Sequence, residues 1–177
     1  RFGERWQKGE TLNFSIGQGH TLATPLQVAK FVSALVNGGT LLRPTLLLAD
    51  KPDVAGTLPM SPATRKQTVD AMVATVEDPK GTARMLRRPG IRVGGKTGTS
   101  QVVKLLDKYA KKKTREIPYK YRDHAWMAAF AERDDKRYAI VAMIEHGGQG
   151  GAEAGPVVGA VIDALFPPEF PEPAEES

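Results

Sequence analysis

Gly94-Gly95-Lys96-Thr97-Gly98-Thr99-Ser100 is the stretch on which the reading of this chain turns. Two local structures compete for it. Residues 90–97 satisfy the spacing G-x-x-x-x-G-K-[ST] of a phosphate-binding loop. That loop needs a buried strand before its first glycine and a helix opening at the lysine, so that helix N–H groups face the phosphates. Here Arg87-Arg88-Pro89 precedes Gly90, and Gly98, Thr99, Val102 and Val103 follow, which favour strand over helix. The other structure is a strand over residues 91–103. On it Thr97 and Thr99 share one face, and Lys96 and Gly98 share the other. Gly98 removes the side chain where a second backbone must come close. An extended peptide can pair with such a strand and place a carboxylate near two hydroxyls and a lysine charge. A glycine-rich strand packed on a helix has the same letters, and these residues alone do not separate the two.

Downstream, apolar runs at 125–131 and 138–144 read as strands. The charged stretch Glu132-Arg133-Asp134-Asp135-Lys136-Arg137 joins them as an antiparallel hairpin. A glycine-rich stretch, 147–155, leads to Pro156 and a last apolar helix ending near Phe166, where Pro167-Pro168 breaks it. Residues 167–177 are rich in Pro and Glu and read as a disordered tail.

Upstream, residues 1–23 read as a loop entering a helix. Thr24-Pro25 supplies a hydroxyl cap and a proline at the first helical position, and Leu26, Ala29, Val32 and Val36 follow at helical spacing. Asn37-Gly38-Gly39 ends that helix. Residues 41–48 are at best an edge strand because of Pro44, and 49–59 read as loop. Ser61-Pro62 caps a second helix with an apolar stripe at Val69, Met72, Val73 and Val76, closed by Pro79 and Gly81. Helices, then hairpin-connected strands, then a helix give an α+β class: an antiparallel sheet flanked by helices.

The 177 residues suit one domain, and 41% hydrophobic content supports a buried core. The chain has no Cys, which excludes disulfides and thiolate metal sites within it. No apolar run reaches the length of a membrane span, and no signal segment opens the chain. It begins at Arg1 without Met and is read as a fragment whose anchor or export signal lies upstream. The net charge is +5. Positive charge gathers at Lys104, Lys108, Lys111, Lys112, Lys113, Arg115, Lys120 and Arg122, read as a solvated loop and not a nucleic-acid surface. His20, His124 and His146 are far apart in sequence and read as loop or structural residues, so no metal or cofactor is expected. Trp6 and Trp126 read as packing residues.

Lys96-Thr97-Gly98-Thr99 resembles the Lys-Thr-Gly motif of penicillin-binding proteins and serine β-lactamases. Ser15-Ile16-Gly17-Gln18-Gly19, followed by Ala23-Thr24-Pro25-Leu26-Gln27, resembles a segment of class B penicillin-binding proteins upstream of that motif, and Gly81-Thr82-Ala83 a second landmark. Residues 123–131 and 138–144 look like the next two strands of the family's sheet. Ile16 with Gln18 points to the penicillin-binding protein 2 branch, which serves cell elongation. The resemblance covers residues 4–166, read as the C-terminal part of a transpeptidase domain (1–166, before the tail) and as an incomplete β-lactamase/transpeptidase-like fold.

The resemblance implies an acyl transfer in which a serine attacks the carbonyl between the terminal D-Ala residues of a peptidoglycan stem peptide. Penicillin and other β-lactam antibiotics acylate the same serine. The serine belongs to a Ser-x-x-Lys motif, accompanied by Ser-x-Asn or Ser-x-Asp. None of Ser15, Ser33, Ser61, Ser100 and Ser177 fits either pattern, and Thr11-Leu12-Asn13 is a near miss in the wrong place. No catalytic side chain is therefore expected in this chain, and the nucleophile with its lysine is expected upstream. Carried over, the Thr99 N–H would be one oxyanion donor. Lys96, Thr97, Gly98 and Thr99 would bind substrate, the hydroxyls holding its carboxylate. The implied partners are the upstream half of the domain and a glycan polymerase of the elongation machinery. The implied location is the bacterial inner membrane, with this domain on its periplasmic or external face. A β-lactamase or DD-carboxypeptidase, or a non-catalytic penicillin-binding or sensor domain, would share the fold.

Overall fold

The computed structural model describes residues 5–19, 22–47, 51–101, 109 and 112–167. The last strand positions expected at 102 and 103, Lys104, Lys108 and Lys111 of the basic stretch, His20 and the tail from 168 lie outside them.

A central sheet of order β3-β4-β5 is formed by β3 (Arg92–Ser100), β4 (His124–Arg133) and β5 (Lys136–Ile144), all antiparallel. β4 and β5 are the expected hairpin, with Arg133 paired to Lys136 and Asp134 at φ 56 in the turn. Alternation along β4 divides the core. Ala125, Met127, Ala129 and Ala131 face α4 (Gly150–Leu165), and meet its Ala154, Val158 and Ile162. Phe130 and Ala128 face the other way, onto Val32 and Leu35 of α2 (Pro25–Val36) and Val69 and Met72 of α3 (Pro62–Glu77). The result is helix, sheet, helices in three layers, the α+β arrangement expected.

Both predicted helix starts hold. The Thr24 hydroxyl accepts from Gln27 N–H while the Gln27 side chain accepts from Thr24 N–H, a full capping box. The Ser61 hydroxyl accepts from Thr64 N–H. Three expectations need correction. Residues within 1–23 form a helix, α1 (Lys8–Ser15), that buries no side chain and so carries no apolar stripe to betray it. Within the predicted loop 49–59, β2 (Val54–Thr57) pairs with β1 (Thr40–Leu42), the short remnant of the predicted 41–48 strand. The last helix begins at Gly150, ahead of Pro156, so part of the glycine-rich stretch is helical.

That last departure has a packing cause. A Cβ at Gly150 would sit 2.2 Å from Gly98 O and 2.5 Å from Trp126 O. The first turn of α4 rests on the peptide groups of β3 and β4, and only glycine permits this approach. Gly94 is constrained likewise on the opposite face, where a Cβ would fall 2.4 Å from the buried Phe130 ring.

Candidate functional site

β3 lies at the edge of its sheet, and no described strand pairs with its outer side. Along an antiparallel strand, the N–H and C=O of alternate residues point toward the partner strand and away from it. Gly95, Thr97 and Thr99 share one parity, and the carbonyl of each accepts from a side chain. Thr75 Oγ1 donates to Gly95 O at 2.5 Å, Lys96 Nζ to Thr97 O at 2.7 Å, and Gln18 Nε2 to Thr99 O at 2.9 Å. These carbonyls therefore point away from β4, that of Gly95 against α3 and those of Thr97 and Thr99 at the open edge.

The side chains follow the expected alternation. Thr97 and Thr99 lie on the α4 side. The Thr97 hydroxyl donates to Thr82 Oγ1 at 3.3 Å, and Gly150 N–H, the first of α4, reaches Thr99 Oγ1 at 3.5 Å. Gln149 provides no side-chain cap for this helix, so its N-terminal partial positive charge sits beside the Thr99 hydroxyl. Gly98 is on the other face, paired with Trp126, where a Cβ would come within 3.1 Å of Trp126 Cβ. Lys96 is exposed and rooted on that face too, but its ammonium curls over the edge onto the Thr97 carbonyl and does not join the two hydroxyls directly. The arrangement presents an unpaired strand edge, two hydroxyls, a helix N-terminus and one ammonium. It suits an extended ligand ending in a carboxylate.

The phosphate-loop reading fails here. Gly94, Gly95 and Lys96 are interior to a strand, and no helix opens at Lys96.

The penicillin binding protein transpeptidase domain matches residues 2–163. This chain belongs to that family. Among penicillin-binding transpeptidases, the peptidoglycan D,D-transpeptidase MrdA of Salmonella typhimurium is 32% identical over 177 residues, covering 93% of this chain and 28% of the relative. Pseudomonas aeruginosa PBP2, solved in complex with WCK 5153, superposes with a TM-score of 0.71 at 31% identity, over 94% of this chain and 36% of that one. Helicobacter pylori PBP2, solved in complex with MreC, gives a TM-score of 0.72 at 30% identity, over 94% of this chain and 29% of that one. The chain thus spans little more than a quarter of the length of the curated relatives it matches. The Lys-Thr-Gly strand, the hairpin after it and the Gly-Gln-Gly segment all fall inside the match to the transpeptidase domain.

Two residues of the penicillin-binding domain join the site without a role in the sequence reading. Gln18 and Thr82 stood inside recognised landmarks, but nothing in a linear sequence links Gln18 to a carbonyl 81 positions away. Gly81 lets its segment sit on α3, where a Cβ would lie 2.1 Å from Thr75 O, and so brings Thr82 to Thr97. Other candidates sit elsewhere. His124 and His146, distant in sequence, meet with ring centroids 4.9 Å apart. His124 Nδ1 accepts from His146 N–H at 2.8 Å, and His146 Nδ1 lies 3.0 Å from Arg122 O, so both rings brace the loop after β5. Among the described residues no group of three metal-ligating side chains exists. Arg122, from the basic stretch, is turned inward to the carbonyls of Ile117 and Arg115. Trp6 is mostly exposed, edge-on to Phe14. Among the described residues no helix is long and apolar enough to cross a membrane.

Proposed function

We propose that this chain supplies the substrate-binding strand of a serine-type peptidoglycan D,D-transpeptidase of the elongation branch, completed by a nucleophilic Ser-x-x-Lys segment upstream. The observation that carries this reading is the open edge of β3, with the N–H and C=O of Thr97 and Thr99 turned outward beside the first turn of α4. An extended D-Ala-D-Ala end lies along this edge. Its carboxylate meets the hydroxyls of Thr97 and Thr99 in the field of the α4 N-terminus and the Lys96 charge. Its scissile carbonyl points to the Thr99 N–H, which stabilises the oxyanion formed on attack by the serine. D-Ala departs, and an amine from a neighbouring stem resolves the acyl-enzyme. β-Lactams enter by the same edge.

With no Ser-x-x-Lys among its residues, the chain alone is inactive. The domain runs over residues 1–166, and 167–177 form a tail outside it. The complete protein is membrane-anchored, works on the outer face of the inner membrane beside a glycan polymerase, and binds no nucleic acid. The complex of the H. pylori relative with MreC supports a place in a larger assembly. The test is Lys96→Ala in the full-length protein, expected to slow penicillin acylation by at least about tenfold, or ~1.4 kcal/mol. Unchanged acylation would remove Lys96 from the site.

A further inference from the structure

Gln18 is tied at both its backbone and its side chain. Gly17, at φ 75, ends α1, with Gln18 N–H bonded to Asn13 O at 2.9 Å and Gly17 N–H to Phe14 O at 3.0 Å. This pair of bonds is a Schellman motif, in which the left-handed residue and the one after it close the last turn of the helix. The Gln18 backbone is thereby fixed to the end of α1, and its side chain extends to β3. Nε2 donates to Thr99 O at 2.9 Å.

The N–H and C=O of one strand residue point to the same side. The carbonyl that Gln18 holds therefore belongs to the same outward-facing residue whose N–H is assigned to the oxyanion. Thr99 is the second-last residue of β3, one pair before the ladder to β4 ends at Ser100 and His124. Gly95 is secured by Thr75 from α3, in the middle of the strand. Thr99 is secured near its end by Gln18 from α1. We infer that Gln18 is a positioning residue for acyl transfer: by holding the Thr99 carbonyl it keeps the backbone of that residue extended, so that the N–H on the same side is aimed before the reaction begins. The inference rests on the transpeptidase reading and assigns within it a residue that acts through Thr99.

The test uses the full-length protein, with Gln18→Ala and Gln18→Glu. The second keeps size and shape but replaces the donor with an acceptor that repels the Thr99 carbonyl. Pre-steady-state penicillin acylation separates the binding constant from the acylation rate constant k2. Loss of one such hydrogen bond is expected to lower k2 about three- to tenfold in both variants. The binding constant should stay within about threefold and the unfolding midpoint should not move, because oxyanion stabilisation acts in the transition state. A merely structural role would lower the midpoint and weaken binding along with k2, and that result would overturn the inference. Parental k2 in Gln18→Glu would overturn it as well, even if Gln18→Ala failed to fold. So would faster acylation, which would make Gln18 a plug on the edge and not a support. If the parent protein itself is not acylated, the transpeptidase reading falls and the role of Gln18 with it. Acylated parent with unchanged variants removes only the role of Gln18.

Discussion

Replacing Gly150 with alanine should damage fold and site together, and the structure sets the scale. The added Cβ would lie 2.2 Å from Gly98 O, 2.5 Å from Trp126 O and 3.0 Å from Gly98 N, all backbone atoms of paired strands that cannot swing aside. Relieving these contacts requires the first turn of α4 to lift by about 1 Å, because carbon–oxygen contacts settle near the van der Waals range of roughly 3.5 Å. Overpacking of this kind costs about 1–3 kcal/mol, and rigid neighbours push toward the upper end. Alanine returns up to about 1 kcal/mol in helix propensity. Gly151→Ala has the same propensity gain but meets nothing nearer than Thr82 O at 3.3 Å, Thr97 Cγ2 at 3.4 Å and Met85 Cε at 3.6 Å. The difference between the two variants therefore isolates the contact with β3 and should be about 2–3 kcal/mol by urea unfolding of the full-length protein. Gly150→Ala should also slow penicillin acylation more than Gly151→Ala, since the same turn carries the N–H that reaches Thr99. Equal stability of the two variants would refute the claim that α4 rests directly on the site strand.

Further expectations concern the supports of the sheet. Burial works to raise the Glu132 carboxyl, but hydrogen bonds and charge from Arg92 and Arg137 outweigh it and hold its pKa below the ordinary value. A lowered carboxylate stabilises the fold above its unfolded pKa, and that contribution fades as pH falls through the folded value. Glu132→Gln should thus cost about 1–2 kcal/mol at neutral pH, the range between exposed and buried pairs, with the deficit shrinking below about pH 4 in pH-resolved urea unfolding. Asp123 has the opposite sign: burial raises its carboxyl pKa, against the charge of His124, so its ionisation opposes folding as pH rises. Asp123→Asn should therefore melt relatively higher at pH 7 than at about pH 3, and a pH-independent difference would contradict the burial argument. Thr75→Val leaves the buried Gly95 carbonyl without its donor and should cost about 1–2 kcal/mol, whereas Thr75→Ser, which keeps the hydroxyl, should cost less than half of that.

What the sequence disclosed depended on whether the cause was local. Thr24-Pro25 and Ser61-Pro62 announce helices because capping is settled within four residues, and the structure has both caps. The strand pair around Asp134-Asp135 shows because apolar runs flank a charged turn. The parity of Thr97 and Thr99 follows from the period of a strand. Gly150 misleads for the opposite reason: its need for no side chain comes from Gly98 and Trp126, partners met only in three dimensions. α1 is hidden because it buries nothing, and β2 because its pairing with β1 comes across an intervening loop. Gln18 sits in a legible landmark, yet its contact with Thr99 needs the fold to bring α1 to the end of β3.

The most direct measurement is penicillin labelling by intact mass, on this chain alone and on the full-length protein. A split acyl-transfer site requires one stable penicilloyl adduct on the full-length protein and none on the chain alone. An adduct on the chain alone would place the nucleophile among these residues, and no adduct on either would contradict the transpeptidase assignment.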